Sequence, residues 1–283
     1  MIAVCPNPFR DIDCRITRDI VNRLDAAGYS TCVCPLFLEE GQLSLPADIP
    51  ISALASVAGQ CSMVVVVGGD GTILAAARQL HNTTVPILGV NLGTKGFMTT
   101  LESDELDKVV SAARGEMRLS RRMKLDVSVI RGGKTVLRDS ALNDAVLHGY
   151  GDCVKMTVCC NGERITQFSG DGVILSTPTG STGYSLSAGG PIVEPDAENI
   201  IITPICAHDM ISRCIVASDR RVVTVSMAQN ARRNAYLSVD GGKATRLNMG
   251  DVATIRKSKY ETKLLRLNDR SFYDVVNSKF QKN

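Results

Sequence analysis

Two different patterns of hydrophobic and polar residues divide the chain. In the first hundred residues, short apolar runs alternate with segments whose apolar residues recur at helical spacing, such as Ile16, Ile20 and Leu24. The run from Val64 to Val67 is typical of a parallel strand that is covered on both faces. Strands that alternate with helices predict a doubly wound, Rossmann-like α/β domain. The predicted strands are residues 2–5, 29–35, 63–67 and 85–90, and the predicted helices are residues 12–27, 52–59, 72–80 and 101–114.

After residue 114 the pattern changes to alternating polar and apolar residues interrupted by tight turns. Arg131-Gly132-Gly133-Lys134 separates two alternating runs, and Asn161-Gly162, a strong hairpin signal, separates two more. We therefore predict an α/β domain at residues 1–114 and a β-rich domain at residues 115–262. The tail, residues 263–283, carries several aromatic and aliphatic side chains and is predicted to pack back on the α/β domain.

The composition is that of a folded protein without unusual charge. Hydrophobic residues make up 44% and charged residues 22% of the 283 residues, and the formal net charge is +3. This small charge gives no argument for nucleic acid or an anionic membrane surface. No apolar stretch approaches the ~20 residues of a membrane span, and the first residues are too short and uncharged for a signal peptide. We expect a cytoplasmic protein with neither nucleic acid nor membrane among its partners.

The ten cysteines do not form a recognisable framework. Cys32 and Cys34 are one residue apart, and Cys159 and Cys160 are adjacent, whereas structural zinc sites space paired ligands by two to four residues. Disulfides would require an exported chain. We therefore expect small, buried, reduced side chains and no set of metal ligands.

The most informative local pattern is the strand Val64 to Val67 followed by Gly68-Gly69-Asp70-Gly71-Thr72 and a helix. Glycines permit positive φ and close approach of the backbone to a ligand, and the N–H groups of a helix N-terminus attract phosphate. Ligands of open parallel sheets bind beyond the carboxyl ends of the strands, where Asp70 lies. The pattern matches neither the dinucleotide fingerprint nor the P-loop. It predicts a carboxylate that faces a phosphate-bearing substrate, as proton acceptor or magnesium ligand, although an Asp-Gly turn can also merely connect a strand to a helix.

This turn resembles the motif of a kinase superfamily that comprises NAD kinases, diacylglycerol and sphingosine kinases, and 6-phosphofructokinases. The motif alone does not choose among them. A second run, Asp171 to Pro191, is rich in serine, threonine and glycine and resembles the NAD kinase signature nearly residue for residue, except that the family usually has alanine at Gly183. Further segments that resemble the family are Gly89 to Met98 (where the family often has an apolar residue at Lys95), Asn143-Asp144, Thr203 to His208 and Val239-Asp240-Gly241.

The resemblance implies an NAD kinase, which transfers the γ-phosphoryl group of ATP to the 2′-hydroxyl of the adenosine ribose of NAD, giving NADP and ADP. It implies that Asp70 is the catalytic base and that a divalent cation, Mg²⁺, is carried with ATP. NAD and ATP or polyphosphate would be the substrates, and the assembly would be a homodimer or homotetramer. The residues that it implies in substrate binding are Gly71, Asn143, Asp144, Lys155, Asp171, Thr182, Gly183, Tyr184 and Ser187, with Phe97, His208 and Asp240 as further candidates.

The resemblance also suggests how these residues divide the substrate between them. Asn143 and Asp144 would hold one end of NAD, and Asp171 with the segment from Thr182 to Ser187 would hold the other. Two other functions stay open at this point: a lipid or sphingoid kinase, which shares only the first motif, and a non-catalytic dinucleotide sensor, which would have no need of Asp70. For two of the candidates an interpretation without a role in substrate binding also stays open: Lys155 as a solvated lysine, and His208 as a partly buried histidine.

Overall fold

The bounds of the helices and strands come from a computed structural model. It describes residues 1–37, 49–80, 82–93, 96–150, 153–208, 213–227, 235–267, 269 and 271–280. The α-helices are α1 (Arg15–Ala26), α2 (Leu54–Val57), α3 (Asp70–Gln79), α4 (Lys108–Ala113), α5 (Tyr184–Ser187) and α6 (Phe272–Phe280). The strands are β1 (Ile2–Pro6), β2 (Thr31–Val33), β3 (Met63–Gly68), β4 (Ile87–Asn91), β5 (Leu101–Glu102), β6 (Arg118–Arg131), β7 (Lys134–Ala141), β8 (Asp144–Gly149), β9 (Val154–Cys160), β10 (Glu163–Gly170), β11 (Gly172–Ser176), β12 (Asn199–Ile205), β13 (Ile215–Ser218), β14 (Val223–Met227), β15 (Ala235–Val239), β16 (Thr245–Leu247) and β17 (Val252–Arg266).

The chain divides into two units. The first consists of Met1–Arg122 together with Tyr260–Asn283, and the second is Met123–Lys259. The prediction of an α/β domain, a β-rich domain and a tail that returns to the first is confirmed as the fold class. The predicted boundaries at residues 114 and 262 lie within eight residues of these unit boundaries.

The first unit is built on a parallel sheet. Its strands follow the order β4-β3-β1-β2, and β5 and the end of β17 also pair with β4 in parallel. Every residue of β3 is buried, as its continuous valine run predicts. Helix α1 packs Ile20, Val21 and Leu24 into the same hydrophobic core.

Three predicted helices in this unit are shorter in the structure, and the one predicted at residues 52–59 is reduced to α2 (Leu54–Val57). The first starts at Arg15 and not at Ile12, because the buried Asp11 carboxylate accepts the N–H groups of Ile16 and Thr17, each at 2.9 Å. The helix predicted from residue 101 is wrong at its start: Leu101–Glu102 forms β5 beside β4, and α4 begins at Lys108. Pairing with a neighbouring strand overrides the local helical pattern there.

The second unit is antiparallel throughout its described strand pairs. One sheet follows the order β13-β12-β11-β8-β15-β16, and a second series pairs β10-β9-β14 with the first part of β17. Strands β6 and β7 form the hairpin predicted at residues 131–134, and β9 and β10 form the hairpin predicted at Asn161-Gly162. Strand β11 is fully buried and lies between β8 and β12. Within the described residues, each helix is too short or too polar to span a bilayer.

Candidate active site

Asp70 is the first residue of α3, directly after the buried strand β3. Thr72 shapes this turn, because its Oγ1 accepts the N–H of Gly69 at 3.4 Å and Nδ2 of Asn7 at 3.0 Å. Gly68 is required by packing, since a Cβ there would overlap Oγ1 of Thr72. None of the glycines at 68, 69 and 71 has a positive φ, so they do not serve a left-handed backbone. Gly69 and Gly71 instead leave open space beside the carboxylate.

The carboxylate of Asp70 holds the loop that follows β4. Its Oδ2 accepts the N–H of Phe97 at 2.8 Å, and its Oδ1 accepts the N–H groups of Met98 at 3.0 Å and Thr99 at 3.3 Å. An ionised carboxylate offers about four lone-pair directions, so one direction, on Oδ2, is left for a substrate. A Cβ at Gly96 would overlap Oδ1 of Asp70, so this close approach depends on glycine at position 96.

Arg266, at the end of β17, braces the same loop from the other side. Its guanidinium donates to the carbonyl oxygen of Thr99 at 2.9 Å and to that of Phe97. The loop is thus held by a carboxylate on its N–H groups and by a guanidinium on its carbonyl groups. Such two-sided hydrogen bonding fixes the direction of the Asp70 carboxylate, and fixed geometry is what a general base requires.

A cavity of about 360 Å³ opens at the N-terminus of α3 in the first unit. Arg10 and Lys279 bring two positive charges to its wall, and the helix N-terminus adds partial positive charge. Nζ of Lys279 also lies 4.2 Å from the centre of the Phe97 ring. The cavity therefore has the size and charge to take a phosphate group beside a carboxylate. The residues that line it are Asn7, Arg10, Phe37, Gly69, Asp70, Gly71, Thr72, Gly96 and Lys279.

In the second unit, a turn of three residues before and at the start of β8 is held by Asp240. This residue follows β15 with a left-handed backbone (φ 47°). Its carboxylate accepts the N–H groups of Leu142 at 2.7 Å, Asn143 at 2.8 Å and Asp144 at 3.0 Å. The Asn143–Asp144 pair is therefore positioned through its backbone, which leaves both side chains available for other contacts.

Asp144, in this turn, is buried, and Asp240, which holds the turn, is half-buried. Burial, followed by the nearby charge of Asp240, raises the pKa of Asp144 to about 7. Burial likewise raises the pKa of Asp240, against the opposing effect of the three N–H groups and of Lys124. The amide Oδ1 of Asn143 is buried and accepts no hydrogen bond from the described residues. A buried acceptor of this kind is a candidate for a donor group on a ligand.

The segment after β11 packs directly on this turn. The N–H of Thr177 donates to the carbonyl of Asn143 at 2.8 Å, and Oγ1 of Thr177 donates to that of Leu142 at 2.6 Å. A Cβ at Gly180 would overlap the backbone of Asn143, so glycine is required there. Of the candidates in this segment, Thr182 donates its hydroxyl to the carbonyl of Thr179 at 3.2 Å, Gly183 is half-buried, and Tyr184 and Ser187 are exposed.

Asp171 lies at the opposite end of β11 from Asn143 and Asp144. It precedes Gly172, whereas Asp144 pairs with Ser176, so about 17 Å of strand separates the two groups. The family resemblance implied that Asp171 and the segment from Thr182 to Ser187 hold the same end of NAD; in the structure that segment instead lies beside Asn143. This rearrangement follows from the antiparallel register of β8 and β11, which no local pattern reveals.

Two cysteines and a histidine surround Asp171. Sγ of Cys153 lies 3.9 Å from Oδ1 of Asp171 and 3.3 Å from Nε2 of His208, and the Cys206 thiol also bonds to Asp171, which raises the pKa of that thiol. Lys155 is exposed on β9, which belongs to the other sheet, and it pairs there with Ser169 of β10, two residues before Asp171. All ten cysteines are free, but the expectation that they are buried is wrong for half of them: Cys153, Cys159, Cys160 and Cys214 are partly exposed and Cys206 is exposed.

Among the described residues, no three histidine, cysteine or acidic side chains come together in a way that would hold a metal ion. Asp70 is the acidic residue that lines the cavity. Lys95, singled out as a departure from the family, lies outside the described residues.

Several residues of the site were not predicted. Arg10, Lys279 and Arg266 reach the cavity or its loop from distant parts of the chain, and isolated basic residues carry no local signal. Asp240 was a candidate only through resemblance, and its hydrogen bonds span about a hundred residues. Thr72 carries no standard capping signal, because a capping box has Ser or Thr at the N-cap and Glu or Gln at the third helical position, whereas here Gly69 is the N-cap and Thr72 is third.

Comparison with known families matches both units. Residues 14–114 match the ATP-NAD kinase N-terminal domain, and residues 142–267 match the ATP-NAD kinase C-terminal domain. An NAD kinase of Ruminiclostridium cellulolyticum is 36% identical over 281 residues, which cover 98% of this chain and 96% of that protein. An NAD kinase of Geobacter sulfurreducens is 40% identical over 240 residues, covering 84% and 81%.

Two solved structures share the fold. A yeast NADH kinase complexed with NADH superposes with a TM-score of 0.87 at 24% identity, covering all of this chain and 87% of that one. An NAD kinase from Archaeoglobus fulgidus in complex with ATP superposes with a TM-score of 0.78 at 23% identity and full coverage of both chains. With both domain models matched in order and relatives of 36–40% identity along most of its length, the chain belongs to the NAD kinase family.

Proposed function

We propose that this chain transfers the γ-phosphoryl group of ATP to the 2′-hydroxyl of the adenosine ribose of NAD, giving NADP and ADP. The observation that carries the proposal is the Asp70 carboxylate, fixed by three backbone N–H groups at the mouth of a cavity with two cationic side chains. A carboxylate can take the proton of the hydroxyl group that accepts the phosphoryl group. The cationic side chains attract the phosphates of the phosphoryl donor.

Asp70 is the proposed catalytic residue. Its Oδ2 takes the proton of the 2′-hydroxyl as the oxygen attacks the γ-phosphorus, and ADP leaves on the opposite side. General-base help of this kind contributes about 10²–10⁴ in rate. Most of the remaining acceleration comes from positioning and from neutralising the phosphate charge.

The phosphates of ATP are the proposed ligands of the α3 N-terminus, Arg10 and Lys279. The open space at Gly69 and Gly71 lets phosphate oxygens approach the backbone N–H groups. The divalent cation, which we propose to be Mg²⁺, arrives on the phosphates as part of the substrate. Phe97 follows Gly96, which lines the cavity, and its ring centre lies 6.4 Å from that of Phe272.

NAD is the proposed ligand of the turn at Asn143 and Asp144. The buried Oδ1 of Asn143 would accept an N–H of the dinucleotide, and Asp144, with a pKa of about 7, can donate or accept. Thr182, Gly183 and the exposed Tyr184 and Ser187 border this turn and would contact the ribose or base. Asp240 contributes indirectly, by holding the backbone of this turn through hydrogen bonds. Asp171 is proposed to contact a separate part of the nucleotide, because it lies at the other end of β11. Lys155 and His208 are proposed to join it, because Lys155 pairs with Ser169 and the N–H of His208 donates to the carbonyl of Ser169, two residues before Asp171.

Lipid kinase activity is not favoured, because both NAD kinase domain models match in order. A non-catalytic sensor would not need the fixed Asp70 carboxylate. We further propose a homodimer or homotetramer, on family resemblance, and the cytoplasm as the location, because a reducing compartment suits ten free thiols.

A donor-by-acceptor activity panel tests this function. Purified protein is incubated with NAD, NADH or diacylglycerol as acceptor, and with ATP or inorganic polyphosphate as donor, each with Mg²⁺. Formation of NADP from NAD and ATP is the expected result. Phosphorylated diacylglycerol without NADP, or no product although NAD binds, would contradict it. The panel also shows whether NADH and polyphosphate are accepted.

A further inference from the structure

Phe37 differs in chemistry from the other residues that line the cavity of the first unit. Among the described residues of that lining it is the one with an aromatic side chain, and the others are glycines or carry polar or charged groups. The residue is 43% exposed, and the proposed function gives it no role. Ligand sites combine aromatic surface with a few polar groups, so the ring is a candidate contact for an apolar part of the ligand.

The lining residues follow four neighbouring parallel strands. The strand order is β4-β3-β1-β2, and parallel pairing brings the four carboxyl ends to one edge of the sheet, where open sheets bind ligands. Gly96 follows β4, and Asp70 follows β3. Arg10 follows β1, and Phe37 follows β2. The cavity therefore extends along this edge, from the Asp70 carboxylate to the aromatic ring.

This order places a cationic side chain between Asp70 and Phe37. Neighbouring strands lie about 4.8 Å apart, so the ends of β3 and β2, with β1 between them, are separated by about 10 Å. In a nucleoside triphosphate, the triphosphate chain and the ribose lie between the γ-phosphorus and the nucleobase. If the γ-phosphate lies at Asp70 and the other phosphates extend towards Arg10, the nucleobase reaches the end of β2.

An aromatic ring at the end of β2 can bind a nucleobase by stacking. Stacking of a nucleobase on an aromatic side chain contributes about 5- to 150-fold in affinity. The partial exposure of Phe37 leaves ring surface accessible from the cavity. Since every nucleobase has a π-face, such a contact depends little on which base is present.

We propose that Phe37 is the platform on which the nucleobase of the phosphoryl donor stacks, so that the cavity holds a nucleoside triphosphate by its phosphates at Arg10 and by its base at Phe37. This inference rests on the proposed function, because it assigns the donor phosphates to this cavity. It adds a contact that favours nucleoside triphosphates over inorganic polyphosphate without choosing among the bases.

Phe37→Ala tests this contact with ligands that do or do not carry a nucleobase. Isothermal titration calorimetry measures the binding of ATP, GTP and inorganic tripolyphosphate, each with Mg²⁺. The Kd values of ATP and GTP should rise about tenfold in the variant, whereas that of tripolyphosphate should not change. Phe37→Trp keeps an aromatic face and should bind ATP at least as tightly as wild type. Phe9→Ala removes an exposed phenylalanine that does not line the cavity, so this matched control should bind all three ligands as wild type does.

Steady-state kinetics assign the contact to the donor or to the acceptor. In Phe37→Ala the KM for ATP should rise about tenfold, and the KM for NAD should stay at the wild-type value. A raised KM for NAD with an unchanged KM for ATP would overturn the inference, because the ring would then contact the acceptor. Wild-type affinity for ATP in Phe37→Ala, or an equal loss for ATP and tripolyphosphate, would overturn it as well. If the wild-type protein makes no NADP, the proposed function fails, while calorimetry still decides whether Phe37 contacts a nucleobase.

Discussion

The backbone N–H of Phe97 donates to Oδ2 of Asp70 at 2.8 Å. This hydrogen bond joins the first residue of α3, which follows β3, to the loop that follows the neighbouring parallel strand β4. Asp70 is thus both a candidate base and the anchor of the loop beside it. The two roles share one carboxylate, so changes in the loop should alter catalysis even where they leave the carboxylate in place.

Gly96→Ala tests the close approach of this loop to Asp70. The new Cβ would overlap Oδ1 of Asp70 and lie 2.8 Å from Oγ1 of Thr99, so the carboxylate must move. A displacement of about 1 Å in a site can cost about 10² in rate, and we expect kcat to fall by roughly that factor. Gly59→Ala is the control, because open space surrounds that glycine; its kcat and Tm should match wild type. An unchanged kcat in Gly96→Ala would show that the loop can move aside without displacing the Asp70 carboxylate.

Lys279→Ala tests the cationic wall of the cavity. The side chain contributes one positive charge near the α3 N-terminus, so its loss should raise the KM for ATP by about tenfold, about the effect of one charge-assisted hydrogen bond. The KM for NAD should change little. Arg114→Ala removes the same charge from the end of α4, away from the residues that line the cavity, and should leave both KM values unchanged. Equal effects of the two variants on ATP would mean that only net charge matters.

Asp144 makes the free energy of unfolding depend on pH. Its pKa is about 7 in the folded state and ordinary, near 3.8, in the unfolded state, so the folded chain binds the extra proton in that window. Stability therefore falls as pH rises from about 4 to about 7. Asp144→Asn should remove this fall, so that above pH 7 its free energy of unfolding exceeds that of wild type by up to about 4 kcal/mol. Urea unfolding at a series of pH values measures this difference.

Asp251 provides a contrast of opposite sign. Hydrogen bonding to Arg131 lowers the pKa of Asp251. The ionised Asp251 therefore stabilises the folded protein above its ordinary pKa of 3.8, and this stabilisation is lost as the pH falls below that value. Asp251→Asn should destabilise the protein at pH 7 and differ less from wild type in acid. If both variants respond to pH in the same direction, the assignment of the raised pKa to Asp144 is wrong.

Local patterns predicted the features whose causes are local. The valine run predicted β3, and the glycines with Asp70 predicted a helix directly after it, although α3 begins at Asp70 and not at the predicted Thr72. The hairpin at Asn161-Gly162 could also be predicted, because the residue pair that determines its turn is contiguous in sequence. These elements depend on neighbours in sequence, and their prediction needed no knowledge of the fold.

The remaining features depend on distant parts of the chain. Leu101–Glu102 became strand β5 because β4 offers it a partner. Asp240 reaches the turn at Asn143 across about a hundred residues, and Arg266 reaches the loop at Phe97 across an even longer stretch. The separation of Asp171 from Asn143 follows from strand register. Single-residue patterns carry no information on such pairings.

The central claim is that Asp70 accepts the proton of the 2′-hydroxyl of NAD, and the kinetics of Asp70→Asn test it most directly. Arg266→Gln is the control, since it loosens the same loop at Thr99 and Phe97 but keeps the carboxylate. We expect Asp70→Asn to bind NAD with nearly wild-type affinity and to lose about 10²–10⁴ in kcat, well beyond the loss in Arg266→Gln. Wild-type turnover in Asp70→Asn, or a loss no larger than that of Arg266→Gln, would contradict the account.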